Sequence, residues 1–105
     1  MSNHRQGNAR PKFALGRIYA TPGALKLLER WQQGAHQFLA RHERGDWGLV
    51  HPDDAAANEY AIGQGLRIIS SYMVGAPEPG REKDVLWIIT EADRSATTLL
   101  LPGEY

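Results

Sequence analysis

Apolar residues along this chain recur at two periods, and the switches between them mark out the elements. Residues 13–21, FALGRIYAT, have the β-rich, mostly apolar character of a strand. TPG ends it. Thr21 can accept the free N–H groups of a helix start, and Pro22 at the first helical position loses no hydrogen bond. Ala24, Leu28 and Trp31 follow at helical spacing, with Leu25 and Leu27 widening the apolar face, which predicts a first helix over 22–31. Gly34 interrupts the pattern. Ala35, Phe38, Leu39 and His42 recur at i, i+3, i+4, i+7 and predict a second amphipathic helix, ended by RGDWG at 44–48. HPDDAAANEYAIGQG, 51–65, predicts a third, with Pro52 near its start, Asp53 or Asp54 at its positive end, and Gly63 and Gly65 closing it.

Strands occupy the rest: LRIISSYMV (66–74), DVLWIITEA (84–92) and SATTLLLP (95–102). Between the first two of these, GAPEPGREK (75–83) carries two prolines, two glycines and mixed charges, and cannot hold a ladder. The order β-α-α-α-β-β-β predicts an α+β domain: an antiparallel sheet with the helices packed on one face. Leu86, Trp87, Ile88 and Ile89 form an unbroken apolar run, so their strand is expected to be central and shielded on both faces, with Trp87 in the core. The polar knot that follows, EADRS, reads as a hairpin turn, because an Asp93 side chain can bond backbone N–H groups ahead of it.

Composition narrows this picture. The 105 residues make one domain, expected over 13–105, behind a polar, Gly/Pro-interrupted arm (1–12) expected to be disordered. Twelve Lys+Arg balance twelve Asp+Glu, which argues against the strong basic field of a non-specific DNA binder. There is no cysteine, hence no disulfide framework or thiolate chemistry. No apolar run approaches the roughly 20 residues of a membrane span; no membrane partner is expected, and the default location is cytoplasmic.

Candidate chemistry is sparse. His36, His42 and His51 match no familiar zinc spacing, so neither a metal site nor a cofactor is expected. His42 has two readings. It is a half-buried histidine near a helix end, where its positive form would suit the dipole, or a general base oriented by Asp46 or Glu43. Trp47 either covers the core or, if exposed, anchors a partner. Arg17, Arg67, Arg94, Tyr19 and Tyr72 are strand residues or lie at strand ends, where such side chains can bind phosphate and stack on RNA bases. The phosphate-loop, dinucleotide and Gly-x-Ser-x-Gly patterns are missing from the sequence.

The blocks FALGRIYATPGAL, FLARHERGDWG, ANEYAIGQGLRIISSY and LWIITEADRSATTLLLPGEY resemble a small bacterial family met on plasmids, prophages and other mobile elements. Some of its members are named plasmid-related protein or type I restriction subunit. The resemblance covers most of the chain beyond the arm, and the last block is its most specific part. The family name carries no established chemistry; together with the neutral charge, small size and absence of a recognised catalytic set, the resemblance implies an accessory protein that acts by binding another protein, a host-defence or plasmid-maintenance component, without catalysis. Trp47, Arg94 and Thr97 are its candidate binding residues, and a homodimer is compatible with it. The element order is also similar to that of RelE-like and barnase-like ribonuclease toxins. That similarity implies the alternative: a metal-independent endoribonuclease acting on RNA. His42 or Glu91 would then be the base, Arg94 or Arg67 the phosphate clamp and Asp93 an orienting carboxylate.

Overall fold

The chain folds as β1 (Arg17–Ala20), α1 (Pro22–Arg30), α2 (Ala35–Glu43), α3 (Pro52–Gln64), β2 (Ile68–Val74), β3 (Asp84–Thr90), β4 (Ala96–Leu100) and a short 3-10 turn (Pro102–Glu104), in a computed structural model that describes residues 10–105. Local chemistry sets most of the boundaries. Thr21 Oγ1 accepts from the Ala24 N–H at 3.1 Å and Pro22 follows it, so α1 starts where expected. Gly65 ends α3 in the left-handed conformation, at φ 65°, while Gly63 lies inside the helix. The first strand is shorter than the expected 13–21. Gly16, at φ +67°, turns the chain out of it, and a Cβ there would strike the Ser95 carbonyl.

The sheet is mixed, which corrects the antiparallel expectation. Its spatial order is β1-β4-β3-β2: β2–β3 and β3–β4 are antiparallel, but β1 lies parallel to β4, with Arg17 beside Ala96 and Ala20 beside Leu99. The three helices all separate β1 from the other strands, and this long connection carries the chain to the far side of the sheet.

The helices are also not all on one face. Leu27 and Leu28 of α1 and Phe38 of α2 pack with Tyr72, Leu86, Ile88 and Leu99 on the inner face of the sheet, forming the main core. Instead, α3 lies along the outer edge of β2. There the Asn58 side chain donates to Ile69 O at 2.7 Å and accepts from Ile69 N–H at 3.1 Å, taking the place of a neighbouring strand. Beside it the chain at Trp47–Leu49 pairs with Ser71: Ser71 N–H donates to Trp47 O at 3.2 Å and Leu49 N–H to Ser71 O at 2.6 Å. Gly48 makes this approach feasible, with φ +73° and Ser71 O where a Cβ would stand.

Trp87 corrects a further expectation. β3 is central, and Leu86 and Ile88 are fully buried, but Trp87 alternates with them onto the outer face, where it is half-buried against Tyr105 at 5.8 Å between ring centres. Of the arm expected at 1–12, residues 1–9 lie outside the described part of the chain. Lys12 is already anchored, its N–H donating to Glu43 O at 2.7 Å. Among the described residues no helix is long and apolar enough to cross a membrane.

Candidate functional site

Helix α2 carries His42 on its apolar stripe and delivers the ring, with no exposed surface, to the inner face of the sheet. Nδ1 meets Ser70 Oγ from β2, and Nε2 lies 2.9 Å from Thr90 Oγ1 of β3. Thr90 Oγ1 is 2.7 Å from Thr97 Oγ1 of β4, which in turn donates to Leu15 O at 2.7 Å.

Proton counting orders this chain. A carbonyl only accepts and a hydroxyl has one proton, so Thr97 spends its proton on Leu15 O and must accept from Thr90. Thr90 then accepts from His42 Nε2–H. The neutral imidazole is left with Nδ1 as an acceptor, and Ser70 O–H donates to it. Every ring nitrogen and hydroxyl in the chain is paired. Burial lowers the His42 pKa from 6.5 to about 4, so the ring stays neutral near neutrality. This is the half-buried reading carried further: with the ring sealed in, desolvation outweighs any gain from a positive charge at the helix end.

The other candidate groups are held by partners of their own. Asp46 does not orient His42: it accepts from Arg41 Nε at 2.7 Å, and that hydrogen bond holds its carboxyl below the usual carboxylate range. Asp93 Oδ1 accepts from Ser95 N–H at 3.0 Å inside the β3–β4 turn, which Arg94 N–H closes onto Glu91 O at 2.9 Å. Glu91 faces Arg67 at 3.6 Å. Arg94 stands at φ +62° and aims its guanidinium at backbone carbonyls: Leu66 O at 2.7 Å, Ala61 O at 2.8 Å, and Glu91 O and Ala92 O at 3.1 Å each. It thereby caps the C-terminal end of α3 and ties it to the turn. Phe13 packs against both His42 and Arg94, 5.2 Å from the imidazole ring and 5.7 Å from the guanidinium carbon. Trp47 is buried against Phe13, with its indole N–H donating to Glu59 at 2.9 Å. Thr97 belongs to the buried chain. His51 caps α3, accepting from Asp53 N–H at 3.0 Å, and His36 is exposed on α2.

What the sequence reading missed is a groove of about 470 Å³ on the outer face of the sheet. Ile69, Ser71 and Trp87 form its floor, Ala57 and Asn58 of α3 one wall, and Leu49 and Val50 another. Arg67 and Tyr105 close one end, with Arg67 donating to the Tyr105 hydroxyl at 2.6 Å, and Asp54 stands on the rim. Leu49 and Tyr105 are largely exposed. The alternation of IISSYMV places Ile69 and Ser71 on one face, but how the preceding helix α3 folds back to wall that face left no signal. Comparison with protein-family models, with curated proteins and with solved structures finds no match to this chain.

Proposed function

We propose that this chain is a small accessory protein of the kind carried by mobile genetic elements, and that it works by capturing an apolar segment of another protein in the groove between α3 and the outer face of the sheet. The groove is the observation that carries this reading: apolar side chains from β2, β3, α3 and the 49–50 segment converge on one open concavity. Trp87 and Tyr105 supply the aromatic area on which interfaces depend most. Asp54 has no ion pair among the described residues and offers an anion to a basic side chain flanking the captured segment. A host-defence or plasmid-maintenance component is the class of partner implied.

The ribonuclease alternative draws less support from the geometry. Its base, clamp and orienting carboxylate would have to converge on an accessible phosphate. Here His42 is sealed, Arg94 is committed to carbonyls and Asp93 to its own turn, while the remaining candidates Glu91 and Arg67 face each other at 3.6 Å.

The test compares wild type with Leu49→Asp, whose backbone bond to Ser71 is unaffected by the new side chain. The wild-type chain is expected to co-purify one partner in stoichiometric amount, and the folded variant to lose it. Equal capture by both would remove the groove from the interaction. Cleavage of RNA by the purified chain, abolished by His42→Gln, would favour the ribonuclease.

A further inference from the structure

The two edges of the sheet are finished in opposite ways. Along β2, the Asn58 amide satisfies Ile69 and the Trp47–Leu49 backbone satisfies Ser71. Along β1 there is no such cover. Arg17 N–H donates to Ser95 O and Thr21 N–H to Leu99 O, both at 3.0 Å, so the odd-numbered residues of this strand turn their backbone groups toward β4. The N–H and C=O of Ile18 and Ala20 therefore point outward, and among the described residues no hydrogen bond reaches them. Edge strands are ordinarily blunted by short length, charge, proline or a bulge. β1 is short, with four residues, yet it shows two large apolar side chains, one on each face: Ile18 is 46% exposed and Tyr19 51%.

We propose that β1 is the contact strand of a homodimer. A second copy of this chain pairs antiparallel with it about a two-fold axis through Tyr19, and the two sheets of four strands become one continuous sheet. The strand is complementary to itself in this register. Ile18 stands opposite Ala20 of the copy, and Ala20 opposite Ile18. All of these residues point their backbone groups outward, so each pair exchanges both hydrogen bonds. Arg17 comes opposite Thr21 of the copy, whose hydroxyl holds the exposed Glu104 carboxylate at 2.6 Å, so a cation meets an anion at both ends of the contact. Neighbouring registers are poorer. Centring on Ile18 recruits Gly16, which at φ +67° has left the strand, and centring on Ala20 recruits Pro22, which has no N–H. The groove lies beside β2, at the other edge, and stays open in the dimer.

A strand of four residues buries less than the roughly 1,200 Å² of a standard interface, so the dimer is expected to be weak and concentration-dependent. Cysteine cross-linking reads its register, since the chain has no cysteine of its own. Tyr19 is opposed to its own copy, where Cα atoms in an antiparallel pair lie about 4.5–5.5 Å apart, within disulfide range. Position 17 is offset from its copy by four residues, roughly 13 Å, beyond that range.

Under mild oxidation Tyr19→Cys is expected to form a covalent dimer and Arg17→Cys to remain monomeric. Sedimentation equilibrium of the wild type is expected to show a monomer–dimer equilibrium. Tyr19→Lys, which sets two like charges face to face, should abolish it without moving the melting curve. A wild type that stays monomeric at millimolar concentration, or equal cross-linking at both positions, would overturn the proposal.

Discussion

His42 Nε2 donates to Thr90 Oγ1 at 2.9 Å across the junction of α2 with the central strand, and this contact fixes the tautomer of the only fully buried imidazole among the described residues. The pH dependence of stability follows from it. The unfolded histidine takes up its proton near 6.5, whereas the folded one does so only near 4. Between those values the unfolded chain binds more protons, so stability rises with pH across the interval. The contribution is complete above 6.5 and is lost progressively as pH falls toward 4. A gap of this size is worth roughly 3 kcal/mol. Asp46, Asp93 and Glu104 are also held below their usual carboxylate range, and their contributions are lost only at lower pH, below their ordinary values. Denaturant unfolding at a series of pH values should show the decline beginning near pH 6.5 in wild type. In His42→Gln, where the amide does not titrate, it should begin only in the carboxylate range.

Thr97→Val should destabilise the fold. The substitution keeps the shape but leaves Leu15 O without its donor and Thr90 without its acceptor, both buried or nearly so. A loss of about 1–3 kcal/mol is expected from urea unfolding. Partner capture at a temperature where the variant is folded should be unchanged, because the side chain is not exposed. Weaker capture by the folded variant would return Thr97 to the binding surface.

Arg94 is a structural clamp in this geometry, its guanidinium donating to backbone carbonyls of both the α3 end and the turn. Arg94→Ala should cost about 1–3 kcal/mol through the lost bonds to Ala61 and Leu66 carbonyls. Arg94→Gly separates the two effects at this position: it loses the clamp as alanine does, but relaxes the φ of +62°, and should recover about 1 kcal/mol relative to alanine. Equal melting temperatures for the alanine variant and wild type would dismiss the clamp.

Trp87→Ala is expected to remain a cooperatively folded domain. Its ring is half-buried on the outer face, so truncation should cost about 1–2 kcal/mol rather than the larger loss of a core aromatic. Partner capture should fall with it, since Trp87 is part of the groove floor. A variant that fails to fold would place Trp87 in the core after all.

The sequence by itself determined what depends on near neighbours. Thr21, Pro22 and Gly65 bound helices through hydrogen bonds and dihedral preferences that reach only a few residues, and the apolar stripes of α1 and α2 face the core as their spacing requires, except that Leu25, expected to widen the α1 face, stands exposed. The turn after β3 was legible for the same reason, since Asp93 closes it locally. The tertiary structure alone decided the rest. Periodicity says which residues share a face but not which strand lies alongside, so β1 beside β4 could not be read from either segment. An unbroken run such as Leu86–Ile89 carries no phase, and only its register against β2 and β4 put Trp87 outside and Ile88 inside. Asn58 on Ile69, Arg94 on Ala61 and His42 between Ser70 and Thr90 are bonds between different elements. A polar residue in a helix or turn announces that it needs partners, but which ones it finds is settled by packing.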